Sequence, residues 1–118
     1  MKDYAAMSDF DINRDVEDIV FGGLWCCRPG SSGNESDSWY YGNADATFNP
    51  LSPLPDYCNN PADAWPIITQ YRISIIDLND KEWGCRVESA HGVMRAINEN
   101  PLRCAMIVFL MMKESKND

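Results

Sequence analysis

The chain has 118 residues, 45% of them hydrophobic and 11% aromatic, which suffices for one domain with a core and excludes a disordered chain. Its formal charge is −8, and the whole imbalance lies in the first half: residues 1–63 hold eleven Asp/Glu and three Lys/Arg, residues 64–118 seven of each. A negative field repels phosphate backbones, so general nucleic-acid binding is disfavoured, while an acidic surface suits solubility or a basic protein partner.

The start of the chain is polar and acidic, without the apolar run of a secretory signal, and the five cysteines (Cys26, Cys27, Cys58, Cys85, Cys104) are odd in number. Both points lead us to expect reduced thiols in a cytoplasm. The first helix is announced by Ser8 with Asp11 three residues on, a capping box in which Asp replaces the usual Glu. Ile12, Val16, Ile19 and Val20 then recur on one helical face. Gly22-Gly23 is read as its C-cap.

From Cys26 to Asn60 the composition turns to Pro, Gly, Ser and Asn. We expect a long loop over about 26–60, pinned in part by Trp39, Tyr40 and Tyr41, which either pack on the core or form a short strand. Asn60-Pro61 opens a second helix, Asn as N-cap and Pro at the first helical position, with Asp63 in the first turn. Trp65, Ile68 and Tyr71 are expected on its buried face, and Pro66 is expected to kink or interrupt it.

Residues 72–78 and 82–88 alternate in polarity around Asn79-Asp80-Lys81, a hairpin pattern. Ile73 and Ile75 with Trp83, Cys85 and Val87 would form its buried face. Val93–Ile97 reads as a third strand after a short turn. Asn100-Pro101 then repeats the cap-and-start signal, and from Cys104 to Met112 no polar residue interrupts the helix. A helix apolar all round must be covered on most faces, and this one is too short to span a membrane, which takes about 20 apolar residues. The fold class expected is α+β: a three-stranded antiparallel sheet with helices packed on it, in the order α-loop-α-β-β-β-α, sandwich-like, as a single domain over residues 1–118.

The segments CNNPADAWPII (Cys58 to Ile68) and NPLRCAMIVFLMMKE (Asn100 to Glu114) resemble the two signature segments of the NinX family of small lambdoid phage and prophage proteins, and YAAMSDFDINRDV resembles that family's start. The resemblance implies a phage accessory protein acting in the host bacterial cytoplasm. It brings no catalytic residues with it.

The chemistry legible in the residues is sparse. His91 is the sole histidine, in an expected surface turn, and nothing in the spacing pairs it with a cysteine nucleophile. Cys26-Cys27, Cys58 and His91 match no zinc-site spacing, and no phosphate-cradling or hydrolase motif is present. No metal and no cofactor are expected, and the chain leans away from being an enzyme. The helix and three strands from Pro61 onward, closed by the last helix, match the order of double-stranded-RNA-binding domains. Those need a basic cluster where this chain has only Arg103 beside Glu99.

Three expectations follow. The first is a protein-interaction module that engages an unknown host or phage protein through the acidic first half and Trp39, Tyr40 and Tyr41, since aromatics in a polar loop are the composition of interface hot spots. The second is a ligand or anion site where the two Asn-Pro helix starts converge, using Asn60, Asp63, Trp65 and Arg103. Nucleic-acid binding ranks last. No membrane partner is expected, and a homo-oligomer is compatible with the pattern.

Overall fold

A computed structural model describes residues 3–22, 24–27, 40–43 and 52–116. The chain divides into two compact units, one of residues 1–16 with 56–118 and the other of residues 17–55.

In the first unit a single 3₁₀ turn at Tyr4–Ala6 leads into α1, Asp9–Glu17. Ser8 accepts the backbone N–H of Asp11 at 3.1 Å, which is the expected cap. Ile12 and Val16 are completely buried. Further along come α2, Pro61–Tyr71, and the strands β4 (Ser74–Asp77), β5 (Trp83–Ser89) and β6 (Gly92–Asn98), and then α3, Pro101–Lys116. The three strands form one antiparallel sheet in the order β4-β5-β6, the expected arrangement.

α3 is the centre of this unit. Every residue from Cys104 to Leu110 is buried, because the helix packs on the inner face of the sheet and also against α2. Each large side chain taken fully out of water there contributes roughly 1.5–3 kcal/mol. Cys85 and Val87 of β5, Ile12 and Val16 of α1, and Ala64, Ile67 and Ile68 of α2 complete the core. Tyr71 meets Phe109 in a tilted ring contact with centroids 5.1 Å apart.

Two expectations about α2, a second helical start before Tyr71 and a buried Trp65, are corrected. The helix continues through Pro66 without interruption, and Thr69 Oγ donates back to the carbonyls of Trp65 and Pro66 at 3.0 and 3.2 Å, on the turn after the proline. The buried face is Ala64, Ile67 and Ile68, with Tyr71 half-buried, whereas Trp65 is 60% exposed. Apolar character alone assigned Trp65 inward. The small Ala64 is the residue that permits close approach to the core.

α2 ends at Arg72 in the left-handed conformation (φ 55°), with the N–H of Ile73 returning to Ile68 O at 3.0 Å. The hairpin turn uses the same backbone region at Asn79 (φ 75°) and Lys81 (φ 64°), and Asp77 accepts the N–H of Asn79 at 2.8 Å.

In the second unit the helical run continues beyond α1 as a π-helical segment, Asp18–Gly22, and here Ile19 and Val20 are exposed. The wider π turn breaks the 3.6-residue register on which their burial was expected. The stretch read as a loop contains β1 (Leu24–Cys27), β2 (Tyr40–Asn43) and β3 (Ser52–Pro53), an antiparallel sheet in that order. Strands of two to four residues are too short to show an alternating pattern. Trp39 lies outside the described residues, and of Tyr40 and Tyr41 the backbone alone is described, paired with Cys27 and Cys26 of β1.

Candidate functional site

The two Asn-Pro helix starts do converge. Asn60 caps α2, its Oδ1 accepting Ala62 N–H at 3.0 Å. Asn100 caps α3, its Oδ1 accepting the N–H groups of Leu102 and Arg103 at 2.9 and 3.2 Å. The Asn100 amide also donates to Cys58 O at 2.6 Å and to Asn59 Oδ1 at 3.1 Å. One asparagine thus caps a helix with its oxygen and ties down the leader of the other helix with its nitrogen.

Around this junction the polar groups are matched to one another. Asn13 of α1 accepts Cys58 N–H at 3.0 Å and donates to Asp56 Oδ1 at 3.0 Å. Asp63 accepts the N–H of Asp56 at 3.0 Å. The Asn59 amide donates to Asp9 Oδ2 at 3.2 Å and to Asp56. Arg103, its side chain 11% exposed, pairs with Asp9 Oδ1 at 2.6 Å and donates to the carbonyls of Tyr4 and Met7 at 3.0 and 2.5 Å.

The electrostatics agree with the geometry. Partial burial works against ionising Asp9, but hydrogen bonds from Asn59 and Arg103 outweigh it and hold its carboxyl below the ordinary carboxylate value. Burial pushes the Cys58 thiol up to about 12, so it is an inert core group. Burial, then the hydrogen bond to Glu114, raises the Tyr4 phenol as well.

Of the expected ligand residues, then, Asn60, Asp63 and Arg103 sit at or beside the junction: Arg103 is held by three acceptors, while Asn60 and Asp63 each accept one backbone N–H. Trp65 projects into solvent from α2. Sequence reasoning missed Asp9, Asn13, Asp56 and Asn59 as the partners of these groups. Asn13 carried a signal: a polar residue directly after Ile12, on the buried side of an amphipathic helix. It is 6% exposed.

The opposite end of α3 differs. There a cavity of about 190 Å³ lies between Tyr71 at the end of α2, Ser89, Ala90 and His91 at the β5–β6 turn, and Met112 and Lys113 of α3. His91 is exposed, as its turn position suggested. The outer face of the sheet is a third feature. Ile76, Gly84 and Ile97 stand side by side across β4, β5 and β6, next to Leu78, whose side chain lies over Gly84.

Fold and junction together define a small α+β protein built on one buried helix and locked at that helix's N-terminus by an asparagine-rich network. Among the described residues no group of three or more His, Cys, Asp or Glu side chains is placed to hold a metal, and no helix is long and apolar enough to cross a membrane. The chain belongs to the NinX family of bacteriophage P22, whose family model matches residues 3–113. Its fold is similar to that in a 2.0 Å crystal structure of a phage protein from Bacillus cereus ATCC 14579, with a TM-score of 0.65 over 92% of this chain and 90% of that one, at 18% identity. No curated protein matches the sequence significantly. The chain is a phage accessory protein, and membership of the family assigns it no reaction.

Proposed function

We propose that this phage protein is a small protein-interaction module working in the cytoplasm of the bacterial host, and that its partner seats on the outer face of the β4–β5–β6 sheet. The observation that carries this reading is the cluster of exposed apolar side chains there, Ile76 (49%), Leu78 (39%) and Ile97 (61%), with Val93 exposed beyond the Arg86–Arg95 row. Single exposed apolar residues are ordinary, but Ile76, Leu78 and Ile97 adjoin across one row of the sheet, the kind of grouping that marks interaction sites. Gly84, at the middle of the row, leaves room for the Leu78 side chain to lie over the strand and join the patch.

Arg86 and Arg95 face each other in the adjacent row, and Arg86 is paired with Glu88. Among the described residues Arg95 has no ion pair. The chemistry therefore suits a protein surface with apolar side chains and a carboxylate opposite Arg95. A second copy of the chain would bring a like charge of −8 and an Arg95 of its own, which disfavours self-association. Trp39, Tyr40 and Tyr41 remain an alternative surface on composition alone. A ligand site at the Asn-Pro junction has less support, because Arg103, its cation, is already engaged by Asp9 and two backbone carbonyls.

The test is a quantitative pull-down from phage-infected host lysate, comparing wild type with Ile76→Asp/Ile97→Asp and with Trp39→Ala/Tyr40→Ala/Tyr41→Ala, each checked for folding by circular dichroism. A partner lost from the sheet variant alone supports the reading. A partner lost from the aromatic variant alone moves the surface to that segment, and capture of no partner by wild type sinks the module.

A further inference from the structure

We infer that the cavity at the C-terminal end of α3 is a binding site for a small organic carboxylate, an apolar body that carries one negative charge. This site is separate from the sheet face and does not rest on the protein-interaction reading.

The cavity has an apolar lining made by Tyr71, Ala90 and Met112, and polar groups from Ser89, His91 and Lys113. At about 190 Å³ it is small for a drug-sized molecule, whose pockets start near 300 Å³, yet it exceeds the roughly 150 Å³ that suffices for benzene. Its natural occupant is therefore of the size of one ring or one branched aliphatic group.

The polar groups decide the sign of the charge. Ser89 is spent on its own turn, donating to Gly92 O and accepting His91 N–H, both at 3.2 Å. Among the described residues Lys113 has no carboxylate partner. Its ammonium lies 4.6 Å from the Tyr71 ring centroid and 5.8 Å from that of Phe109, held there by the ring faces and by the carbonyl end of α3. The nearest carboxylate in sequence, Glu114, is taken by Tyr4. Nor does the His91 imidazole have a hydrogen-bond partner among the described residues, its backbone N–H alone being engaged. Among the described residues no acidic side chain lines the cavity, which therefore offers one ammonium and the His91 ring beside an apolar floor. A carboxylate on Lys113, with its body against Tyr71 and Met112, satisfies both halves.

Two sources share this chemistry: a free acid and the C-terminal residue of a peptide. The test uses the full chain labelled with ¹⁵N and with ¹³C at its methyl groups, and NMR titration with four probes. These are 3-phenylpropionate, 3-phenylpropionamide, and a tetrapeptide ending in phenylalanine with a free or an amidated C-terminus. The expected result is shift changes at Ala90, His91 and Met112, and binding of each acid at least about tenfold tighter than its amide. Lys113→Met should abolish that preference and Lys113→Arg should restore it, which separates charge recognition from a loss of folding. Tighter binding of the peptide acid assigns the site to a chain terminus, and tighter binding of phenylpropionate assigns it to a free metabolite. Equal binding of acid and amide, shifts confined to other residues, or no binding at tens of millimolar overturns the proposal.

Discussion

The two ends of α3 answer the same physical question in opposite ways. At the N-terminal end the orphan N–H groups, an arginine and four asparagines are used up on one another, and Arg103 is nearly buried with three acceptors. At the C-terminal end, roughly 18 Å along the helix axis, a lysine of the same helix rests on aromatic rings with no counter-charge among the described residues, beside a cavity. A charge with all its acceptors supplied from within is a structural fastener. A charge held in place without them is available to something else.

The contrast breaks if the N-terminal network proves dispensable. Arg103→Met should lower stability by about 2–4 kcal/mol, since it strands Asp9 and two carbonyls as well as removing a charged donor. Urea unfolding measures it, and a loss below about 0.5 kcal/mol would show that Arg103 is not a fastener. Asn100→Ala should cost about 1–2 kcal/mol, combining the lost cap with the lost tie to Cys58 and Asn59. Asn100→Asp should recover the cap but not the tie, and a full recovery would remove the tie from the account.

Acid sharpens the comparison further. Asp9 has its carboxyl held below the ordinary value of 3.8, so its stabilisation is complete above that value and is lost as pH falls through the lower folded-state value. Asp9→Asn should therefore destabilise at neutral pH and converge with wild type at the acid end of a pH series of melting curves. Parallel curves would mean that the Arg103 pair does not titrate with folding. The smallest effect is expected at the other end of α3: Lys113→Met should cost about 0.5–1 kcal/mol, the worth of its cation–π contacts. A loss comparable to that of Arg103→Met would make Lys113 a fastener too.

Some elements were legible because their signals are local. Asn60-Pro61 and Asn100-Pro101 mark their helices by a cap and a pre-set φ, and both caps are seen. The β4–β5 hairpin follows from alternation around Asn79-Asp80-Lys81, and the burial of α3 from an apolar run with no polar face. The misreadings arose where a neighbour decides. Trp65 is apolar but lies on the side of α2 turned from α3, and Pro66 is carried by a helix anchored at both ends.

The sequence by itself determined which segments become helices and strands of the first unit, because caps, alternation and apolar runs act over three or four residues. Only the tertiary structure decided which polar groups meet. That Asn13 finds Asp56 and Cys58, and that Arg103 finds Asp9 and two carbonyls, depends on segments 43 to 99 positions apart. No local preference encodes such a pairing. It forms when burial of α3 draws those segments together and removes the water that would otherwise satisfy them.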